Sequence, residues 1–294
     1  MKKILITGSE GNLGTRIFNY ESKLDFDCIF LSRKEISKNH RGGKNIHVKA
    51  DITVKDSINK ELWGATEVFH MAGATHEKNT DNYYLNNFET TKLLIDLAIK
   101  NNVSRFIYLS TQAIGKIGGA YSHSKQLAED YLKHSRLNWT ILRPSEVYGE
   151  SIESPITSLC NSIKHKKVIP IIGNGKYTVN PLHIQDLRKF IHKLLDCPSD
   201  KSHRKIYTLC GPNPISFEDF CKRCSTPSKH KLHTLKIPVS ICKFGLLIAS
   251  KMKFTSLNYD QIDRLIMQKN NDIQNATDDY TFKPRHFKFN QIYS

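Results

Sequence analysis

An α/β fold, with a doubly wound parallel sheet and a smaller C-terminal lobe, is what this 294-residue sequence predicts. Three observations carry the prediction. Short apolar runs alternate with helical spacings through the first half, a glycine-rich turn joins the first run to the first helix, and the alternation becomes irregular after about residue 150. Lys2 to Thr7 is an apolar run ending at a glycine cluster, and Leu13, Ile17 and Tyr20 then recur at helical spacing within Asn12–Tyr20. Strand-like runs follow at Asp27–Ser32, Ile46–Asp51, Glu67–Ala72, Arg105–Ser110 and Trp139–Pro144, with helical patterns at Thr90–Asn101 and Ser122–His134. Beyond Ser151 the sequence predicts a helix at Ile156–Lys166, a short return strand at Val179–His183, a helix from Asp186 and a strand at Lys205–Cys210. Gly211-Pro212-Asn213-Pro214 reads as a turn, and Ser216 with Asp219 three residues on opens another helix. Residues 1–150, with return segments at about 178–213, are read as the sheet domain, and residues 151–294 mainly as the second lobe.

Composition narrows the class of protein. With 39% hydrophobic and 24% charged residues the chain can bury a sizeable core, which argues against disorder and fibrous folds. Its longest apolar candidate, Ile237 to Met252, is broken by Lys243 and Lys251, too short a run to span a bilayer. The N-terminus lacks the apolar stretch of a signal peptide, so a cytoplasmic location is the expectation. Seven cysteines, an odd number scattered along the chain, read as reduced thiols. Forty-four Lys and Arg against 28 Asp and Glu give a net charge of +16, which suits nucleic acid, an anionic membrane or a phosphorylated small substrate. The basic residues are spread evenly, with no basic tract interleaved with aromatics, and this argues against nucleic acid.

Gly8, Glu10, Gly11, Asn12, Leu13 and Gly14 sit where a strand becomes a helix, the context in which backbone approaches a pyrophosphate at a helix N-terminus. The Thr7-Gly8-x-x-Gly11-x-x-Gly14 spacing resembles the extended branch of the short-chain dehydrogenase/reductase family, whose Rossmann-like members mostly act on nucleotide sugars. Other landmarks of the resemblance follow in order. Asp51-Ile52 matches the acid that contacts adenine, and His70-Met71-Ala72-Gly73 matches the turn against the cofactor. Asn87 with Thr91 matches an Asn-x-x-Gly-Thr signature, with Thr90 in place of its glycine. Phe106 to Thr111 matches the strand ending in the active-site Ser/Thr, and Tyr121 with Lys125 matches the Tyr-x-x-x-Lys pair, followed by Glu129. Arg143-Pro144, Tyr148-Gly149, His183 and Asp186 complete a resemblance that covers the whole chain.

The resemblance implies that Thr111, Tyr121 and Lys125 are catalytic and that Gly73, Asn87 and Pro144 line the cofactor site. On a helix Tyr121 and Lys125 share a face, so the ammonium favours phenolate and brings the phenol toward proton exchange with a sugar hydroxyl. The segment between Thr111 and Tyr121 is shorter than in most extended members, and Ser110 is the fallback for Thr111. After the second strand, Ser32-Arg33-Lys34 suits the 2′-phosphate of NADP, which is favoured over NAD. Family dehydratases place Asp-Glu after the active-site Thr; here Gln112-Ala113 stands there, leaving hydride chemistry by a 4-epimerase or a 4-ketoreductase. The expected partner is a nucleotide-sugar-like molecule, contacted by Thr75, Ser110, Gln112 and Arg285. Arg285, or Lys176, would replace an arginine that family members carry before the His183 position. The other reading is a catalytically silent dinucleotide-binding scaffold or assembly factor.

Two further patterns point elsewhere. Cys221 and Cys224 with His230 and His233 have zinc-ligand residue types at the wrong spacing, so no metal site is expected. Pro238 to Ala249 is an apolar helix with basic neighbours, read as packing over a cleft or making a lobe or homodimer contact rather than docking on a membrane.

Overall fold

The computed structural model describes residues 2–18, 26–33, 45–58, 64–77, 79–165, 168–225, 233–251 and 260–293. Its centre is a parallel sheet of strands β1 (Lys3–Thr7), β2 (Asp27–Ser32), β3 (Ile46–Lys49), β4 (Glu67–His70), β5 (Arg105–Leu109) and β6 (Trp139–Pro144), plus a seventh strand, Lys205–Leu209. The order runs from the seventh strand through β6, β5, β4, β1 and β2 to β3. The chain winds outward from β1 to β3, then crosses back to β4 beside β1, and ligands of open α/β sheets bind at the strand ends where the order reverses.

Both faces of the sheet are covered, which is why its strands read as continuous apolar runs. Ile4 and Ile6 of β1 pack into one core with helix Ile184–Asp196, while Leu5 between them points into the other, with Leu94, Ala98, Ala128 and Leu132 of helices Thr90–Lys100 and Gly119–His134. A third core lies in the C-terminal lobe, where Ile156, Cys160 and Ile163 of helix Pro155–His165 meet Phe217, Phe220, Cys221 and Cys224 of helix Phe217–Ser225. Cys160 and Cys224 bring their sulfurs to 3.1 Å there. Cys221 and Cys224 are therefore core residues, and His230 lies outside the described residues. No helix among the described residues is long and apolar enough to cross a membrane. Helix Val239–Lys251 forms where the sequence predicts one, and Ile241 and Phe244 on it are exposed.

Three elements depart from the sequence reading. The return strand expected at Val179–His183 divides into Thr178–Val179, antiparallel to Ile215–Ser216, and Leu182–His183, parallel to Val147–Tyr148. Pro181 lacks a ladder donor, and the Asn180 carbonyl turns aside to accept from the Ser145 hydroxyl and the Gly211 amide, so one straight strand is broken. The helix expected over Asn12–Tyr20 is the single turn Gly14–Ile17, residues 19 and 20 lying outside the described set. The helix expected from Thr90 begins at Thr80 and passes through a π-helical stretch, Tyr84–Glu89.

Candidate active site

The glycine loop closes β1 against the end of β4. Gly8 has φ +77°, and a Cβ on it would stand 2.6 Å from the Ala72 nitrogen. At Gly14 a Cβ would meet the Ser9 Cα at 2.6 Å, so the first helical turn lies directly on the loop. Gly11 is exposed, and its nearest neighbour is the Gly8 carbonyl, whose oxygen its amide donates to at 3.1 Å. One glycine makes the turn, one packs the helix and one leaves backbone open, the division of labour a dinucleotide pyrophosphate requires. The residues present therefore fit the adenine dinucleotide that the loop spacing implies. Glu10 and Asn12 are exposed beside Gly11, and Leu13 packs into the core. The Asn12 side chain donates to the Glu153 carbonyl at 2.5 Å, tying the loop to the segment after Gly149.

At the ends of β2 and β3, Ser32 is buried, Arg33 is exposed and Lys34 lies outside the described residues. The Asp51 carboxylate accepts from the amide and hydroxyl of Thr53, and these bonds, with the nearby Arg33 cation, hold its pKa below the usual carboxylate range. Ile52, next to it, packs into the core on that side.

Beyond β4 the chain turns at Met71 and Ala72, whose amides donate to the Thr7 carbonyl and hydroxyl. His70 is fully buried between Thr7, 2.7 Å from Nδ1, and Thr91, 2.9 Å from Nε2. The Thr91 hydroxyl donates to the Asn87 carbonyl, so it accepts from Nε2–H, and Nδ1 accepts from Thr7. Burial, with the Lys125 cation nearby, pushes the imidazole down to about 3 and keeps it neutral. The π-helical stretch turns Asn87 inward, where its amide brackets Ala74, accepting from the nitrogen at 2.7 Å and donating to the oxygen at 3.0 Å, and also donates to Ser124. Asn87 thus fixes the loop carrying Gly73 and Thr75. Thr90, where the resemblance expects glycine, is buried and donates to the Leu85 carbonyl five residues back.

Thr111 and Tyr121 meet across the short segment that separates them. Thr111 lies beside the phenol, its hydroxyl accepting from the Ala113 amide at 3.1 Å, the Tyr83 ring stands edge-on at 5.9 Å, and the Arg264 guanidinium lies over the phenol ring at 4.8 Å. Burial raises the Tyr121 pKa, against the opposing pulls of the Thr111 hydroxyl and the Arg264 cation. One turn on, Lys125 is buried, donates to the Leu109 carbonyl at 3.0 Å and stands 4.5 Å over the Tyr108 ring. Burial brings its ammonium down to about 8. Arg264 is thus the cation against the Tyr121 ring itself, while Lys125 lies over Tyr108. Glu129, a further turn on, is occupied by Arg143 through bonds of 3.0 and 2.5 Å.

The remaining residues expected at the substrate differ in their surroundings. Ser110 and Gln112 are buried, and neither the Ser110 hydroxyl nor either end of the Gln112 amide finds an oxygen or nitrogen partner among the described residues. Gln112 is anchored by its own amide on the Pro144 carbonyl and faces the Cys210 thiol. Thr75 is exposed, its hydroxyl 3.0 Å from His76 Nδ1. Arg285 is held elsewhere, clamping Asp186 through Nε and Nη2 and reaching Gln185 through Nη1. Lys176 is exposed. Sequence reasoning missed Arg264 and Tyr83, which reach Tyr121 from distant segments and carry no local motif.

Comparison with known proteins decides the family. The model of the NAD dependent epimerase/dehydratase family matches residues 4–210. The chain belongs to this family. Its cofactor is accordingly a nicotinamide adenine dinucleotide. UDP-glucose 4-epimerase from Vibrio cholerae is 24% identical over 96% of this chain and 91% of its own length. A Dictyostelium discoideum protein, NADH dehydrogenase (ubiquinone) 1 alpha subcomplex subunit 9, mitochondrial, is 28% identical over 60% of this chain, and the match spans only 49% of that relative. Among solved structures, a UDP-glucuronic acid 4-epimerase from Bacillus cereus, in complex with UDP-glucuronic acid and NAD, superposes with a TM-score of 0.73 at 17% identity. That match covers 99% of this chain and 98% of the other, and establishes the fold.

Proposed function

We propose that this protein transfers hydride at a sugar carbon, C4, of a nucleotide sugar, as a 4-epimerase or a 4-ketoreductase, with Tyr121 as the general acid/base. The observation that carries the proposal is the meeting of Thr111, Tyr121 and buried Lys125 at the end of β5, beside the Gly73 turn that closes on the glycine loop. A bound nicotinamide supplies the acceptor and donor of hydride. Tyr121 exchanges the proton of the sugar hydroxyl, Thr111 holds that hydroxyl through its own, and Lys125 places a positive charge on the same helix face. Burial favours the protonated phenol, the form that gives a proton to a 4-keto oxygen, and positive charge beside it favours the phenolate that takes one from a hydroxyl. Elimination of water would need a carboxylate beside Thr111; Gln112 and Ala113 stand there, and no Asp or Glu is among the charges acting on Tyr121. Similarity to the Vibrio epimerase supports a uridine-linked sugar, and Arg33 supports NADP over NAD.

Similarity to the NADH dehydrogenase subunit supports the second reading, a dinucleotide-binding scaffold without turnover. One experiment separates the two. Purified protein with NADP or NAD is offered UDP-, dTDP- and GDP-hexoses and 4-keto sugars, and Tyr121→Phe is compared with it. Turnover lowered about 10²- to 10⁴-fold in Tyr121→Phe, with cofactor affinity within a few-fold, is the expected result. Cofactor binding with no conversion of any sugar nucleotide would leave the scaffold standing.

A further inference from the structure

We infer that Arg264, contributed by the C-terminal lobe, is a positioning residue that holds the ring of Tyr121 and stabilises its phenolate form. The inference rests on the reading of Tyr121 as general acid/base and extends it to a residue no motif contains. Helix Asp260–Ile266 packs against helix Gly119–His134 and against the Lys116–Gly118 turn, which belongs to the short connection between Thr111 and Tyr121. Contact is close: a Cβ on Gly118 would come within 3.0 Å of Arg264 Cγ. The guanidinium therefore lies 4.8 Å from the centre of the Tyr121 ring, against one face, while Tyr83 meets the same ring edge-on.

Among the described residues Arg264 has no hydrogen-bond or ion-pair partner. Its neighbour Asp263 is taken by Lys243 at 2.6 Å, and no carboxylate or carbonyl among the described residues engages the Arg264 guanidinium. A planar cation on an aromatic face is suited to stacking and to holding negative charge as it forms on the phenol oxygen. The groups that face Tyr121 are Thr111 from the end of β5, Tyr108 within β5, Lys125 from its own helix, Tyr83 from the Thr80–Tyr83 turn, and Arg264. Of the two cations, Lys125 donates to the Leu109 carbonyl and lies over the Tyr108 ring, and Arg264 is the one placed on the Tyr121 ring itself. Docking of the lobe helix and acidity of the catalytic phenol are thereby linked.

The test is a spectroscopic pH titration of Tyr121, read as the phenolate ultraviolet band of the full chain minus that of Tyr121→Phe, and it needs no substrate. Arg264→Gln is expected to move the Tyr121 midpoint up by about one pH unit, with Arg264→Lys between it and the parent. Kinetically, the alkaline shift in the kcat profile should match, with cofactor affinity unchanged. Equal midpoints in parent and Arg264→Gln of equal thermal stability would overturn the inference. If Arg264→Gln loses its fold, Arg264→Lys decides alone, because an ammonium cannot stack flat: a midpoint equal to the parent's overturns the assignment, and a raised one supports it. Should Tyr121→Phe leave turnover unchanged, the acid/base reading fails, while the titration still reports whether Arg264 sets the phenol.

Discussion

The two ends of β4 treat buried polarity in opposite ways. At its start, the Glu67 carboxylate takes Nε and Nη2 of fully buried Arg105 at 3.0 and 2.5 Å, and Nη1 of the same arginine reaches the Leu194 carbonyl at 3.2 Å. At its finish, His70 is neutral and bonded on both nitrogens, yet within a few residues of the neighbouring strand the Ser110 hydroxyl and both ends of the Gln112 amide are buried without an oxygen or nitrogen partner among the described residues. Polar groups that answer one another hold the sheet together; polar groups left unanswered at the strand ends are available to a ligand. Polarity is thus paired within the protein at one end and left partly unpaired among the described residues at the other.

This contrast breaks most severely at Glu67. Glu67→Gln leaves the Arg105 cation buried without its counter-charge and should cost about 3–5 kcal/mol in urea unfolding, while dinucleotide affinity of the folded fraction stays unchanged. A loss of less than about 1 kcal/mol would mean that water reaches Arg105.

The opposite end responds to pH. His70 has a folded pKa of about 3 against an ordinary 6.5, so between those values the unfolded chain binds more protons than the folded one. Its contribution to stability is complete above pH 6.5 and is lost as pH falls toward 3. Urea unfolding at pH 7 and pH 4.5 should therefore fall on the order of 2–3 kcal/mol further for the parent than for His70→Asn. Parallel losses in the two proteins would show that the imidazole is not held neutral.

The smallest effect sharpens the ligand side. Arg33→Ser should weaken NADP roughly tenfold and leave NAD within about twofold, measured by fluorescence titration of the two cofactors. Equal losses for both would remove Arg33 from any contact with a 2′-phosphate and turn the cofactor reading toward NAD.

Much of this architecture was legible because its signals are local. β2 and β6 have the bounds their apolar runs predict, since a strand buried on both faces declares itself in consecutive residues. The return strand expected at Val179–His183 divides because Pro181 and the side-turned Asn180 carbonyl break an apolar run that composition alone cannot divide. The glycine loop was readable for a similar reason: its three glycines answer steric demands within seven residues and the adjacent turn.

By itself the sequence determined the order of strands and helices, the glycine cradle and the placement of Tyr121 and Lys125 on one helical face, because each follows from spacing along a few turns of chain. Only the tertiary structure decided which cation Tyr121 meets, that Arg285 belongs to Asp186, and that Asn87 grips Ala74. Those contacts join segments from 13 to 143 residues apart, as between Asn87 and Ala74 or between Tyr121 and Arg264, and a pairing across such separations leaves no periodicity in the chain that makes it.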